Sequence, residues 1–67
     1  MSGALTHSLG TTYRTKCGRG RITYQADWSP SMPWASYWDG TAGRHFVTVP
    51  AASEYFYETH RAVLIVI

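Results

Sequence analysis

The chain has 67 residues, a single cysteine and a formal net charge of +2. This length predicts one domain, residues 1–67, whose folding buries only about 60% of the surface of the unfolded chain, and one cysteine excludes an internal disulfide. The charge is too small to predict a polyanionic partner by itself, whereas three Trp, five Tyr and two Phe are enough to build an aromatic core.

The most informative stretch runs from Thr11 to Trp28, where side chains of different character alternate. A period of two with β-branched and aromatic residues is typical of a half-buried strand. Gly18-Arg19-Gly20 separates two such runs and suits a turn with a positive φ, so we predict a β-hairpin with two distinct faces. The predicted apolar face carries Thr11, Tyr13, Thr15, Cys17, Ile22, Tyr24, Ala26 and Trp28, and the opposite face carries Thr12, Arg14, Lys16, Arg21, Thr23, Gln25 and Asp27.

Four cations of this hairpin lie close together with no acidic residue among them. This basic cluster consists of Arg14, Lys16, Arg19 and Arg21. A local positive field of this kind steers association with an acidic protein surface or with nucleic acid, although a solvated basic face that only serves solubility is the plainer alternative. Tyr13 and Tyr24 are expected on the other face, which weakens a single-strand-binding interpretation because stacking and phosphate contacts need one face.

Residues 29–43 are predicted to form a long loop. Pro30 and Pro33 disfavour a central strand, and Asp39-Gly40 indicates a turn. The loop carries three large aromatic residues, for which two interpretations stay open. They cap an open end of the sheet, or they form a binding surface, because Trp and Tyr are enriched at interface hot spots. These residues are Trp34, Tyr37 and Trp38.

Three elements are predicted in the rest of the chain. Residues 44–49 form a third strand that ends at Pro50. Residues 50–58 form one or two helical turns with Ala52, Tyr55 and Phe56 on one face, although Tyr-Phe-Tyr also favours an extended segment. Residues 59–67 form a final strand that is apolar on both faces from residue 62 onward, which is typical of a central strand or of a dimer interface.

The predicted fold is mainly β, a β-rich α+β domain built on one small antiparallel sheet of four to five strands. One short helix and the aromatic loop cover the sheet, and a half-open barrel is the neighbouring alternative. The first residues show neither a basic region nor an apolar run, and the longest apolar run is far shorter than the roughly 20 residues of a membrane span. We therefore expect a soluble, cytoplasmic protein without a membrane partner.

No pattern of catalytic or metal-binding residues stands out. His7, His45, His60 and Cys17 each stand alone in their segments, without the tight spacing that a zinc site requires. A nucleophilic pair of Cys17 with His45 or His60 would have to form across the fold, and a lone cysteine on an apolar face is more often core filling. We therefore expect no enzymatic activity, no metal and no cofactor.

The sequence favours a non-enzymatic protein-binding module, a small inhibitor or adaptor that blocks a larger partner with an acidic surface or a nucleic-acid-binding channel. In general character, though through no identifying motif, it resembles small phage or mobile-element proteins that disarm host defence. Direct nucleic-acid binding through the basic cluster is the first alternative, and self-association as a homodimer through residues 62–67 is the second. The predicted partner-binding residues are Arg14, Lys16, Arg19, Arg21, Trp34, Tyr37 and Trp38.

Overall fold

The computed structural model describes residues 7–66, which form one antiparallel sheet and one helix. The strands follow the order β4-β3-β2-β1-β5, with β4 and β5 at two open edges, so the sheet is not a closed barrel. The predicted mainly β fold with a single antiparallel sheet is confirmed. The elements are β1 (Thr12–Thr15), β2 (Gly20–Tyr24), β3 (Trp34–Trp38), β4 (Thr41–Phe46), α1 (Val49–His60) and β5 (Leu64–Ile65).

The predicted hairpin is confirmed as β1 and β2, which pair in register from Thr12 opposite Thr23 to Arg14 opposite Arg21. Gly18 in the connecting turn has a φ of +81°, as expected for a glycine at a tight turn. Gly20 has a different role. A Cβ atom at this position would lie 2.8 Å from Cε3 of Trp38 and 2.9 Å from Cε1 of Phe56, so the absent side chain makes room for two rings.

The prediction that residues 29–43 form a loop is wrong, because Trp34–Trp38 is the interior strand β3, between β2 and β4. Both prolines precede the strand, so neither removes a donor from its ladder. The Asp39-Gly40 turn is confirmed. Its two residues have φ values of +52° and +80° and join β3 to β4, as expected for a two-residue hairpin loop. Consequently β4 begins at Thr41, three positions before the predicted start.

The helix α1 is longer than the one or two turns expected for residues 50–58. Thr48 caps its N-terminus, where the side-chain oxygen accepts a hydrogen bond from the backbone N–H of Ala51 at 3.3 Å, and Pro50 lies in the first turn. Arg61 ends the helix in the left-handed conformation, with a φ of +52°. At 12 residues α1 is too short to cross a membrane, and no other helix occurs among residues 7–66.

The hydrophobic core lies between α1 and one face of the sheet. As predicted, Ala52 and Phe56 share the inner face of the helix and are fully buried, and Tyr55 packs beside them. Tyr13 and Tyr24 pack against the core from the sheet, which confirms the predicted direction of their side chains. The buried hydrophobic cluster consists of Ile22, Trp34, Phe46, Ala52, Phe56, Ala62 and Leu64.

The predicted central strand at residues 59–67 is instead the two-residue edge strand β5, paired with β1 alone. The helix extends to His60, which leaves few residues for a strand. Leu64 is buried, whereas Val63, Ile65 and Val66 are exposed large hydrophobic residues. The double-sided apolar pattern therefore does not reflect burial on both faces. The short length of β5 limits the backbone groups that another chain can pair with.

We predict that Phe56→Ala lowers the free energy of unfolding by about 3–5 kcal/mol, because it leaves a cavity where the helix meets the sheet. Tyr57→Ala is the matched control, since this neighbouring ring is 50% exposed; its effect should be roughly 0.5 kcal/mol or less. Urea unfolding of both variants measures the difference. Equal losses would show that the core does not lie between α1 and the sheet.

Candidate functional site

The face of the sheet that points away from α1 carries a connected set of polar and aromatic side chains. Ile22 and Trp34 point toward the helix, so their sequence neighbours point the other way. We call this second surface the helix-free face. Strand register places two rows of side chains on it. The first row is Ile65, Arg14, Arg21 and Tyr37, and the second is Thr12, Thr23, Ala35 and His45.

Arg21 and Tyr37 form the centre of this face. The guanidinium carbon of Arg21 lies 4.0 Å from the centroid of the Tyr37 ring, a close cation–π contact. Arg21 Nη1 donates to Oγ1 of Thr23 at 3.1 Å, and Gln25 Nε2 donates to the Tyr37 hydroxyl at 3.2 Å. Both groups are therefore held in place. Tyr13 and Tyr24 lie on the other face, as predicted, whereas Tyr37 lies beside Arg21 because β3 pairs with β2.

Arg14 lies directly opposite Arg21 in the β1–β2 ladder. Like charges at facing positions destabilise a sheet. Arg14 is exposed, and neither arginine forms an ion pair with any residue in the described part of the chain. Within residues 7–66, the fold thus holds two positive charges next to each other on one face with no ion pair to either.

Arg19, a member of the predicted basic cluster, pairs with the acidic side chain of Asp39. Its Nε lies 3.1 Å from Oδ1 of Asp39, and its Nη2 lies 2.6 Å from Oδ2, so the pair is bidentate and links the two hairpin turns. The hydrogen bonds from Arg19 hold the pKa of the Asp39 carboxyl below its usual value, and the same contact raises the pKa of Arg19. Arg19 therefore brings little net charge to this end of the sheet.

Trp28 was predicted to face the core, yet it is 70% exposed. The strand ends at Tyr24, and the chain then turns, with the N–H of Trp28 donating to the carbonyl of Gln25 at 3.1 Å. Alternation stops at this turn, which is why the pattern misplaced the ring. The indole stacks on His45, with ring centroids 5.0 Å apart and planes inclined by 28°. His45 belongs to the second row, so Trp28 adds an exposed aromatic surface to the helix-free face.

The other predicted binding residues lie elsewhere. Trp34 is only 3% exposed and belongs to the core, so it cannot contact a partner in this fold. Trp38 is half-buried and stacks on His60 at a centroid distance of 3.7 Å, on the helix side of the sheet. Lys16 is exposed just beyond β1, where its N–H donates to the Val63 carbonyl at 2.7 Å. Of the three predicted aromatic residues, Tyr37 alone lies with the paired arginines.

Cys17 lies exposed in the β1–β2 turn, not in the core as its predicted face implied, because β1 ends at Thr15. A hydrogen bond with the Thr15 hydroxyl, at 3.3 Å from Sγ, lowers the pKa of the thiol. His60 lines the same pocket as Cys17 but is stacked on Trp38. Within residues 7–66, no three His, Cys, Asp or Glu side chains come together as a metal site would require.

We predict that the Asp39 carboxyl titrates below the ordinary value of 3.8, because its ionised form accepts two hydrogen bonds from Arg19. A lowered pKa in the folded state means that the pair stabilises the fold above the unfolded-state pKa and loses this contribution as the pH falls through the folded-state pKa. Carboxyl ¹³C shifts measured against pH test this. In Arg19→Gln the midpoint should rise toward 3.8; an identical midpoint in both proteins would contradict the assignment.

Comparison with known proteins finds no relative. No protein-family model, no curated protein and no solved structure matches the chain. The geometry of the helix-free face is therefore the basis for inferring function.

Proposed function

We propose that this protein is a non-enzymatic binding module, an inhibitor or adaptor that uses its helix-free face to block an acidic surface of a larger protein. The observation that carries the proposal is the presence of Trp28, Tyr37 and Arg21 on one side of the sheet. Trp, Tyr and Arg are the residue types most enriched among interface hot spots.

The aromatic anchors are already held in position. Trp28 rests on His45, and Tyr37 is fixed by Arg21 and Gln25. Side chains that are ordered before binding lose little conformational entropy in a complex, and this favours affinity. Both rings can therefore contact a rigid partner surface with little rearrangement of their side chains.

Charge and area agree with a protein partner. The two rows contain Arg14 and Arg21 and no acidic residue, so an acidic surface complements them. A standard interface buries about 800 Å² on each partner, which is roughly a fifth of the 4441 Å² surface of this protein. An interface of this size on the partner would be sufficient to cover a binding site there and so to inhibit it.

We predict that Trp28→Ala weakens partner binding by at least about 2 kcal/mol, or roughly 30-fold in Kd, while leaving the thermal midpoint unchanged, because the ring is exposed. Tyr57→Ala, an exposed ring on α1, is the matched control and should bind as the wild type does. The partner is first captured with the immobilised full chain, then purified and titrated calorimetrically against the three proteins. Equal affinity for all three would reject the helix-free face as the interface.

Nucleic-acid binding is the second candidate, and the contact between Arg21 and Tyr37 favours it. A cation and a stacking ring on one face are what single-strand binding needs.

For this second candidate we predict a mobility shift of a labelled single strand at low salt. Contacts from two or three cations give a slope of log K against log salt of roughly −1.4 to −2.1, because about 0.7 counterions are released per phosphate. A duplex of the same sequence is the control for stacking. No shift at tens of micromolar protein would remove this candidate and leave protein binding.

A further inference from the structure

A cleft of about 280 Å³ opens at the end of the helix-free face, between the β1–β2 turn and the β3–β4 turn. Three arginines and one tyrosine line it, together with Asp39. Arg19 and Asp39 satisfy each other at its rim through two hydrogen bonds. The cations that remain available to a ligand in the cleft are therefore Arg14 and Arg21.

The position of these two arginines carries the inference. They face each other across the β1–β2 ladder, and Ile65 is the neighbour of Arg14 on its other side. Their mutual repulsion has no compensation from an acidic side chain in the described segment. An anion between them would replace repulsion with two charge-assisted hydrogen-bonding contacts, which are the stronger kind.

Arg21 is prepared for such a contact. The Tyr37 ring lies against its guanidinium plane, and the Thr23 hydroxyl accepts from Nη1. A guanidinium that is already oriented loses less freedom when it binds a planar oxyanion. Arg14 is exposed and can adjust to close the site from β1.

The surroundings favour one carboxylate over a chain of phosphates. Apart from each other, the residues that pair with or contact the two arginines on this face are Ile65, Thr23 and Tyr37, none of them charged. Arg19 and Asp39 neutralise each other at the rim, so their ion pair supplies no further cation for a longer polyanion. Affinity for a nucleic-acid backbone grows with the number of phosphates contacted, and this site offers two cations.

We propose that the cleft is a carboxylate-binding site, in which Arg14 and Arg21 hold one Asp or Glu side chain of the protein partner against the Tyr37 edge of the face. This assignment rests on the proposed function, because it supplies the acidic contact of that interface.

The test uses the intact 67-residue chain and N-acetyl-glutamate amide, which presents one side-chain carboxylate. Side-chain Nε–H signals of the arginines are followed by NMR at constant ionic strength, with N-acetyl-glutamine amide as the neutral control and dimethyl phosphate as a phosphodiester probe. We expect saturable shifts of Arg14 and Arg21 with the glutamate compound and none with the glutamine compound. A linear response without saturation, or tighter binding of dimethyl phosphate, would overturn the proposal.

Substitutions inside and outside the cleft distinguish binding at the site from a general effect of net charge. Arg14→Gln and Arg21→Gln should each weaken binding of the glutamate compound at least fivefold. Arg44→Gln should not weaken it, since Arg44 lies over the Phe46 and Tyr55 rings on the helix side. Arg14→Gln should also keep or raise the thermal midpoint, because it removes a like-charge contact. Equal weakening by Arg44→Gln would show that net charge alone accounts for the weaker binding, and it would reject the site.

Failure of this site and failure of the proposed function give different results. If the glutamate compound does not bind but Trp28→Ala still weakens partner binding, the carboxylate site is rejected and the interface stands. If the compound binds through Arg14 and Arg21 while Trp28→Ala leaves partner binding intact, the cleft does bind a carboxylate, but the proposed interface is rejected and with it the assignment of that carboxylate to the partner.

Discussion

The packing of α1 onto one side of the sheet is the interaction on which the rest of the structure depends. Phe56 and Ala52 are fully buried against Ile22 and the neighbouring rings. Gly20 permits this packing, because a side chain at that position would collide with both Phe56 and Trp38. A small domain has room for one such core. The contact therefore divides the sheet into a covered face and a helix-free face, and the candidate site lies on the second.

The helix-free face combines side chains that are held in place with two facing arginines that form no ion pair in the part of the chain that the structure describes. Arg21 is fixed on Tyr37, whereas Arg14 faces it across the ladder. Proteins tend to break local rules of stability at functional sites and offset the cost elsewhere. Here the buried ring of Phe56 supplies stabilisation on one side of the sheet, while the facing arginines on the other side are available to an anion. Trp28 extends this surface with an exposed ring that the core does not need.

Local patterns predicted much of the fold. The alternation around Tyr13 and Tyr24 was sufficient for the β1–β2 hairpin, because adjacent side chains on a strand must point to opposite faces. Asp39-Gly40 marked the second turn, and its positive φ values confirm that interpretation. Strand β3 was missed although none of its residues, Trp34–Trp38, is a proline. Pro30 and Pro33 argued against a strand in this stretch, but the strand begins directly after Pro33. The pairing of β3 with β2, which places Tyr37 beside Arg21, was therefore not predicted either.

The sequence by itself determined the hairpin, its turn and the inner face of the helix, because each depends on residues a few positions apart. Only the tertiary structure decided that Trp34 is core, that Trp28 is exposed and that β5 lies at an edge. It also decided the pairing of Arg19 with Asp39, residues twenty positions apart. The physical reason is that strand order and register bring distant segments together. The alternation of residues within one strand does not determine strand order or register, because these depend on which distant surfaces bury each other best.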